Sequence, residues 1–207
     1  MHPNPAFRDE TEDRARRFAR ERGFGVMTVA GPDGVMAAHV PFLLEDRALE
    51  AHLVRSNPIA RHLRGASAEA TLIVSGPDGY ISPDWYGEDD KVPTWNYVAV
   101  HLIGHLELAP EGTLMGHLER LAAEFEAMLP KMPWTHHKMT SGVMEKMMRQ
   151  IVPVRMTVTE VQSTFKLNQN RTASARRNAA DQLSSGDTPG METVRLSELM
   201  KEAGGSL

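Results

Sequence analysis

Apolar and polar residues alternate through much of the first half of the chain, and this two-residue period predicts strands. "FGVMTVA" from Phe24, "VMAAHVPFLL" from Val35 and "ALEAHLV" from Ala48 read as three consecutive strands, the first two joined by the turn "GPDG" at Gly31 to Gly34. "ATLIVSG" from Ala70 reads as a fourth strand. The polar aromatic segment "YISPDWYGEDDK" reads as a loop, and "TWNYVAVHLIGHLELA" from Thr94 as a long fifth strand. "VPVRMTVTEVQ" from Val152 reads as a sixth. Helical spacing replaces alternation elsewhere. "TEDRARRFARER" from Thr11 ends at Gly23, a natural residue for a left-handed helix stop. In "RSNPIARHLRG", Ser56 or Asn57 can cap a short helix that has Pro58 at its first position. A charged amphipathic helix from about Pro110 to Met128 and a Met-rich helix "VMEKMMRQ" from Val143 follow.

A mainly antiparallel sheet with helices outside it hides its edges most simply by closing into a small barrel. After Lys166 the character changes. "NQNRTASARRNAADQL" is helix-prone, "SSGDTPGMET" has the Ser, Gly and Pro content of a flexible linker, and "VRLSELMKEA" is a last short helix. The expected organisation is a barrel domain with its peripheral helices over residues 1–170 and a C-terminal helical extension over residues 171–207.

Composition narrows the functions. The 207 residues are 41% hydrophobic, enough for one substantial core, and the formal net charge of -4 gives no global pull toward nucleic acid or anionic lipid. Only "RTASARR", Arg171 to Arg177, is locally basic. The absence of cysteine excludes disulfides, thiolate metal sites and a Cys nucleophile. No run approaches the ~18 apolar residues of a membrane span, so a cytoplasmic protein without a membrane partner is the expectation. No G-x-S-x-G, Walker A or G-x-G-x-x-G motif occurs, and the second "GPDG", at Gly76 to Gly79, reads as turn chemistry like the first.

Two segments carry candidate chemistry. In "HLVRSNPIARHL", a strand ending in Arg55 and Ser56 runs straight into a helix start, bringing a guanidinium, a hydroxyl and free backbone N–H groups together as a phosphate would need. The same residues also suit a plain helix cap beside a solvated arginine. In "VPTWNY", Thr94, Trp95, Asn96 and Tyr97 suit the wall of a planar heteroaromatic ring, with Asn96 reading its amide edge, or equally a structural turn into a strand. The histidines give no metal-binding set. His101 and His105 lie four apart on a strand, while His136 and His137 are loop neighbours expected to point apart. One histidine reaching a porphyrin iron needs no spacing pattern, and His39 and His52 sit on strands. Met132, Met139, Met144, Met147 and Met148 read as adaptable core filler.

Together "HVPF" at His39, "HLVRSNP" at His52, "GPDGYISPDWY" at Gly76, "VPTWNYVAVH" at Val92 and "KLNQNR" at Lys166 resemble the PaiB-like family, usually labelled FMN-binding negative transcriptional regulators. The resemblance runs collinearly over about residues 1–180. The chain departs from better-known members at Asp78 and Gly79, where those show His-Ala, and at "IVPVRM", where "IVGFEI" is usual. The resemblance implies an α+β protein: a dimeric, mainly antiparallel split β-barrel of the flavin-reductase and pyridoxamine-phosphate-oxidase type, with the cofactor at the subunit interface. By the family pattern, Arg55, Ser56 and Asn57 form the phosphate end of an FMN site, and Ala38, His39 and Val40 form a strand passing the ring. Thr94, Trp95, Asn96 and Tyr97 form a second wall, with Lys166, Asn168 and Gln169 supplied by the partner chain of a homodimer. The family label carries a DNA contact, for which this sequence offers no helix-turn-helix. Relatives on the scaffold imply alternatives: an FMN-dependent oxidoreductase, or a haem enzyme of the piperazate-synthase or haem-degrading kind, with His52 the first candidate for its axial ligand and His39 the second candidate.

Overall fold

A computed structural model describes residues 1–203. Six strands form: β1 (Phe24–Gly31), β2 (Gly34–Glu45), β3 (Ala48–Val54), β4 (Ala68–Ile81), β5 (Thr94–Leu108) and β6 (Ile151–Lys166). They close into a barrel in the order β1-β2-β3-β6-β5-β4, with β1–β2, β2–β3, β3–β6 and β1–β4 antiparallel. The helices are α1 (Glu12–Arg22), α2 (Pro58–His62), α3 (Leu114–Glu126), α4 (Val143–Met148), α5 (Ala173–Leu183) and α6 (Thr193–Glu202). The expected α+β barrel with peripheral helices is therefore what the chain forms. Among the described residues, no helix is long and apolar enough to cross a membrane.

Two compact units divide the chain. The first comprises Arg16–Val74 and His101–Val161. Here the sequence alternation becomes an inside and an outside: Ala38, Val40, Phe42 and Leu44 of β2, Leu49, Ala51 and Leu53 of β3, Leu102 and Leu106 of β5, and Val154, Met156 and Val158 of β6 are buried. The intervening residues of β3, Glu50 and His52, face outward beneath α3. The Pro32-Asp33 turn joins β1 to β2 as predicted, with Gly31 opposite Gly34. Gly23, at φ +56°, ends α1 as predicted. Asn57 caps α2, its Oδ1 accepting from the Ile59 N–H at 2.9 Å. Asn57→Ala is expected to lower stability by about 1 kcal/mol, read as a shifted urea midpoint at unchanged slope. An unmoved midpoint would show that the cap contributes nothing.

Two of the methionines read as core filler depart from that reading. Met132 is 82% exposed and Met147 is also exposed, while no residue of α4 is buried. A six-residue helix between two turns lacks the length to press a full apolar stripe onto the barrel, so these side chains are surface rather than core filler.

The second unit comprises Met1–Ala15, Ser75–Val100 and the chain from Gln162 onward. The second "GPDG" is not a turn: it lies inside β4. The physical reason lies far along the chain, because the segment read as a flexible linker lines up beside it. Asp78 N–H donates to the Met191 carbonyl at 2.9 Å, Met191 N–H to the Asp78 carbonyl at 3.1 Å, and Tyr80 N–H to the Pro189 carbonyl at 2.9 Å. The linker is thus hydrogen-bonded to β4. A Cβ on Gly79 would lie 3.1 Å from Leu196 and 3.2 Å from Leu183, so the glycine is what lets α5 and α6 close over the strand. The unit's core includes Tyr86, Phe165, Leu183, Leu196 and Met200.

Candidate functional site

In the barrel unit, β2 presents Ala38 and Val40 to the core and His39 to the outside. The His39 ring stacks on exposed Phe24 with centroids 6.3 Å apart and planes 28° apart, leaving a flat aromatic surface on the barrel exterior. At the end of β3, Arg55 is more tied down than the sequence indicates. Its Nε donates to the Arg149 carbonyl at 3.0 Å, its Nη2 to the Ile151 carbonyl at 3.2 Å, and both Nη atoms reach Glu111 Oε1 at 3.1 Å. Arg55 is therefore not a solvated bystander to the cap; it fastens the start of β6. Its one carboxylate partner is an exposed side chain, and such pairs contribute little. Ser56 is exposed.

The second unit receives the other predicted residues. Strand alternation separates the expected wall: Trp95, 47% exposed, and Tyr97 lie on one face of β5, while Asn96 lies on the other and is fully buried. Asn96 therefore does not stand beside Trp95 and Tyr97 to read a ring edge. Its Nδ2 donates to Met200 Sδ of α6 at 3.4 Å, and its Oδ1 has no partner. Trp95 meets Tyr80 edge to face at 6.4 Å. Lys166 and Thr94 come together, Nζ donating to Oγ1 at 2.6 Å, and burial, with Arg171 adding to it, lowers the Lys166 pKa. Asn168 and Gln169 shape a turn. Asn168 adopts φ +61° and accepts from the Tyr86 hydroxyl at 3.5 Å, while Gln169 accepts from the Leu167 N–H and donates to the Phe165 carbonyl. The "RTASARR" stretch presents no continuous basic face, because Arg176 is only 6% exposed and donates to the Met200 carbonyl.

Sequence reasoning missed the most desolvated polar cluster of the barrel unit. Glu50 and His52 project from the outward face of β3, and α3 lays His117 and Arg120 over them. His52 Nδ1 lies 3.2 Å from His117 Nε2, the Glu50 carboxylate lies 3.8 Å from His117 Nδ1, and Arg120 Nη2 donates to Glu50 Oε2. His117 is 2% exposed. Burial lowers its pKa to about 4, and burial lowers that of His52 as well. The available signal was the position of His117 on the apolar stripe of α3, three residues after buried Leu114 and four before buried Leu121. A second oversight concerns His136 and His137. Their rings are 4.0 Å apart instead of diverging, because Glu119 holds His136 Nδ1 at 3.3 Å. Together with Leu118, Ala122, Trp134 and Met144 they line a cavity of about 270 Å³. No group of three or more His, Asp or Glu side chains suited to a metal ion occurs among the described residues.

Comparison with known proteins places this geometry. Protease synthase and sporulation protein PAI 2 of Bacillus subtilis is 27% identical over 189 residues, covering 89% of this chain and 89% of that protein. The FAD and heme binding protein from Mycobacterium smegmatis shares the fold with a TM-score of 0.55 at 16% identity, covering 75% of this chain and 71% of that one. The flavocytochrome Anf3 from Azotobacter vinelandii does so with a TM-score of 0.54 at 12% identity, covering 75% and 68%. The family model described as "Putative FMN-binding domain" matches residues 1–160, so this chain, a relative of PAI 2, belongs to that FMN-binding family.

Proposed function

We propose that the chain binds FMN, with the phosphate end at Arg55, Ser56 and Asn57 and the isoalloxazine ring beside the exposed aromatic surfaces, a second copy of the chain completing the site. The observation that carries this reading is the family match over residues 1–160, which contains the Arg55–Asn57 corner and the Thr94–Tyr97 segment. The local chemistry fits. Ser56 offers an exposed hydroxyl, and the Arg55 guanidinium needs only exchange an exposed carboxylate for a phosphate. Bound flavin supplies one- and two-electron transfer. The protein's part is to hold the phosphate and cover one ring face; the exposed, stacked Phe24–His39 pair, in the same unit as Arg55, has the flat area for the second task. A regulatory role in this reading proceeds through cofactor occupancy or a partner rather than through the Arg171–Arg177 stretch, whose central arginine is buried.

Ser56 makes the sharper test, because replacing Arg55 would also release the start of β6. Ser56→Asp places a negative charge at the proposed phosphate end without touching the core. FMN affinity should fall at least tenfold, with riboflavin affinity and melting temperature unchanged. Equal loss for FMN and riboflavin, or no loss for either, would remove the phosphate assignment.

A haem reading has one specific observation in its favour. His52 is half-buried and is hydrogen-bonded through Nδ1, and among the described residues Nε2 has no hydrogen-bond partner. An ultraviolet–visible spectrum of the protein as isolated, and after separate additions of FMN and hemin, distinguishes the two by flavin bands or a shifted Soret band.

A further inference from the structure

We infer that the cavity between α3 and the segment following it is a binding site for a small aromatic amine, one or two rings carrying a basic nitrogen. The inference does not rest on the flavin reading, because none of the residues forming the cavity belongs to the proposed flavin site. The cavity, of about 270 Å³, lies wholly within the barrel unit. One of its walls follows from the sequence of α3. The inward stripe of that helix, Leu114, His117 and Leu121, is buried. On the next face round, Leu118 and Ala122 stand one turn apart, and Ala123 stands one turn after Glu119. Two alanines occupy places where longer apolar side chains would meet the facing segment, and the space they leave is the cavity. The opposite wall is held by polar tethers. The Trp134 N–H donates to Glu126 Oε2 at 2.8 Å, the Met139 N–H to the His136 carbonyl at 2.9 Å, and Lys138 Nζ to the Pro133 carbonyl at 3.0 Å. Collapse onto α3 would break these bonds, so the space persists as a formed site.

Size, shape and charge select the ligand. A volume just below the range of ~300–1,000 Å³ usual for ligand pockets admits one or two rings and is too small for a flavin or a porphyrin. The lining is flat and soft. It includes the Trp134 indole, the imidazoles of His136 and His137 with centroids 4.0 Å apart, and the adaptable thioether of Met144, all of which suit the faces and edges of an aromatic ring. Charge decides what the ring carries. Among the described residues lining the cavity, Glu119 is the one carboxylate and none is Lys or Arg. His136 Nδ1 lies 3.3 Å from Glu119 Oε1, and among the described residues Oε2 has no partner. A carboxylate oxygen beside an aromatic wall suits an ammonium attached to a ring, because the oxygen accepts from the ammonium while the indole covers the ring. Cations on the adjoining stretches are engaged elsewhere: Lys131 pairs with Glu126, Arg120 with Glu50, and Lys138 holds the Pro133 carbonyl. A ligand carboxylate would instead meet Glu119 and be repelled.

The test uses the full ¹⁵N-labelled chain, whose three tryptophans give three indole N–H signals, with Trp134→Phe identifying the one that reports on the cavity. The probes are phenethylamine, toluene and phenylacetate. Phenethylamine should move the Trp134 signal saturably and leave those of Trp85 and Trp95 in place. Toluene should bind about two- to fivefold more weakly, the range set by a half-exposed carboxylate, and phenylacetate more weakly still. Glu119→Gln should remove the preference for the amine over toluene. Ala122→Leu, which fills the cavity from a helical position, should weaken phenethylamine binding roughly tenfold or more at an unchanged urea midpoint, and Ala123→Leu is the second filling variant should the first misfold. No saturable movement of the Trp134 signal, or full affinity in the leucine variants, overturns the site. Phenethylamine bound no more tightly than toluene and phenylacetate overturns the amine assignment. A Trp134 signal that shifts when the chain alone is diluted shows that a second copy covers the cavity, and overturns the small-ligand inference.

Discussion

Gly104→Ala is expected to destabilise the barrel by at least about 3 kcal/mol, the upper range for overpacking, or to prevent soluble expression. The smallest possible side chain at this position has nowhere to go. A Cβ on Gly104 would sit 2.0 Å from the Thr157 carbonyl oxygen and 2.8 Å from its carbonyl carbon, both backbone atoms of the neighbouring strand β6. A flexible side chain could swing aside; a strand backbone cannot move without breaking its own ladder. β5 places Leu102, Gly104 and Leu106 on the inward face, so the glycine occupies a core position where alternation alone would have called for another Leu or Val. Urea unfolding of the Ala variant checks this directly. A midpoint within experimental error of wild type would mean that β5 and β6 can separate locally, and that the close approach is not a constraint on the barrel.

Acidification is expected to weaken the fold through His117 by on the order of 3 kcal/mol between about pH 6.5 and 4. Burial depresses the folded-state pKa of His117 to about 4 from the ordinary 6.5, with the neighbouring charge of His52 acting in the same direction and Glu50 opposing it. In that interval the unfolded chain binds a proton that the folded chain does not. Stability is therefore fully present above pH 6.5, falls as pH drops, and stops falling on this account once the folded form also protonates, below about 4. His52, whose pKa is also lowered by burial, contributes with the same sign. The expected signature is a loss of urea midpoint from about pH 7 to pH 4.5 that is markedly smaller in His117→Leu, since the carboxylates titrate alike in both proteins. Parallel pH profiles for the two would show that His117 is not the group responsible.

The elements that were legible in the sequence are those fixed by neighbours in the chain. Apolar stretches bounded by turn residues located all six strands, and alternation marked the second half of β5, because inside and outside residues of a barrel strand must differ in polarity wherever one face meets water. Asn57, Pro58 and Gly23 marked helix ends, because capping and left-handed stops are local geometry. The family motifs also lay within short windows, which is why the FMN-binding family could be identified before any coordinates. The environments of the site residues could not be read the same way. Arg55 is bound by Glu111, Arg149 and Ile151, and Asn96 by Met200, partners 56 to 104 positions away that no window includes.

The two "GPDG" segments show where the boundary lies. Identical residues make a hairpin turn at Gly31 and a strand interior at Gly76, so the tetrapeptide's own propensity does not choose between them. At the first site the two flanking strands pair with each other and the turn follows. At the second, backbone groups of residues 189 and 191 supply hydrogen bonds that a turn would not need, and Leu183 and Leu196 close on Gly79. His117 illustrates the same division for chemistry: the sequence put a histidine on an apolar helical stripe, and only the packing of α3 over β3 set it against His52 and Glu50. The sequence by itself determined the elements, the barrel and the family, because each follows from local periodicity or short motifs. Tertiary structure decided which polar groups are desolvated and paired, because that depends on contacts between residues distant in the chain.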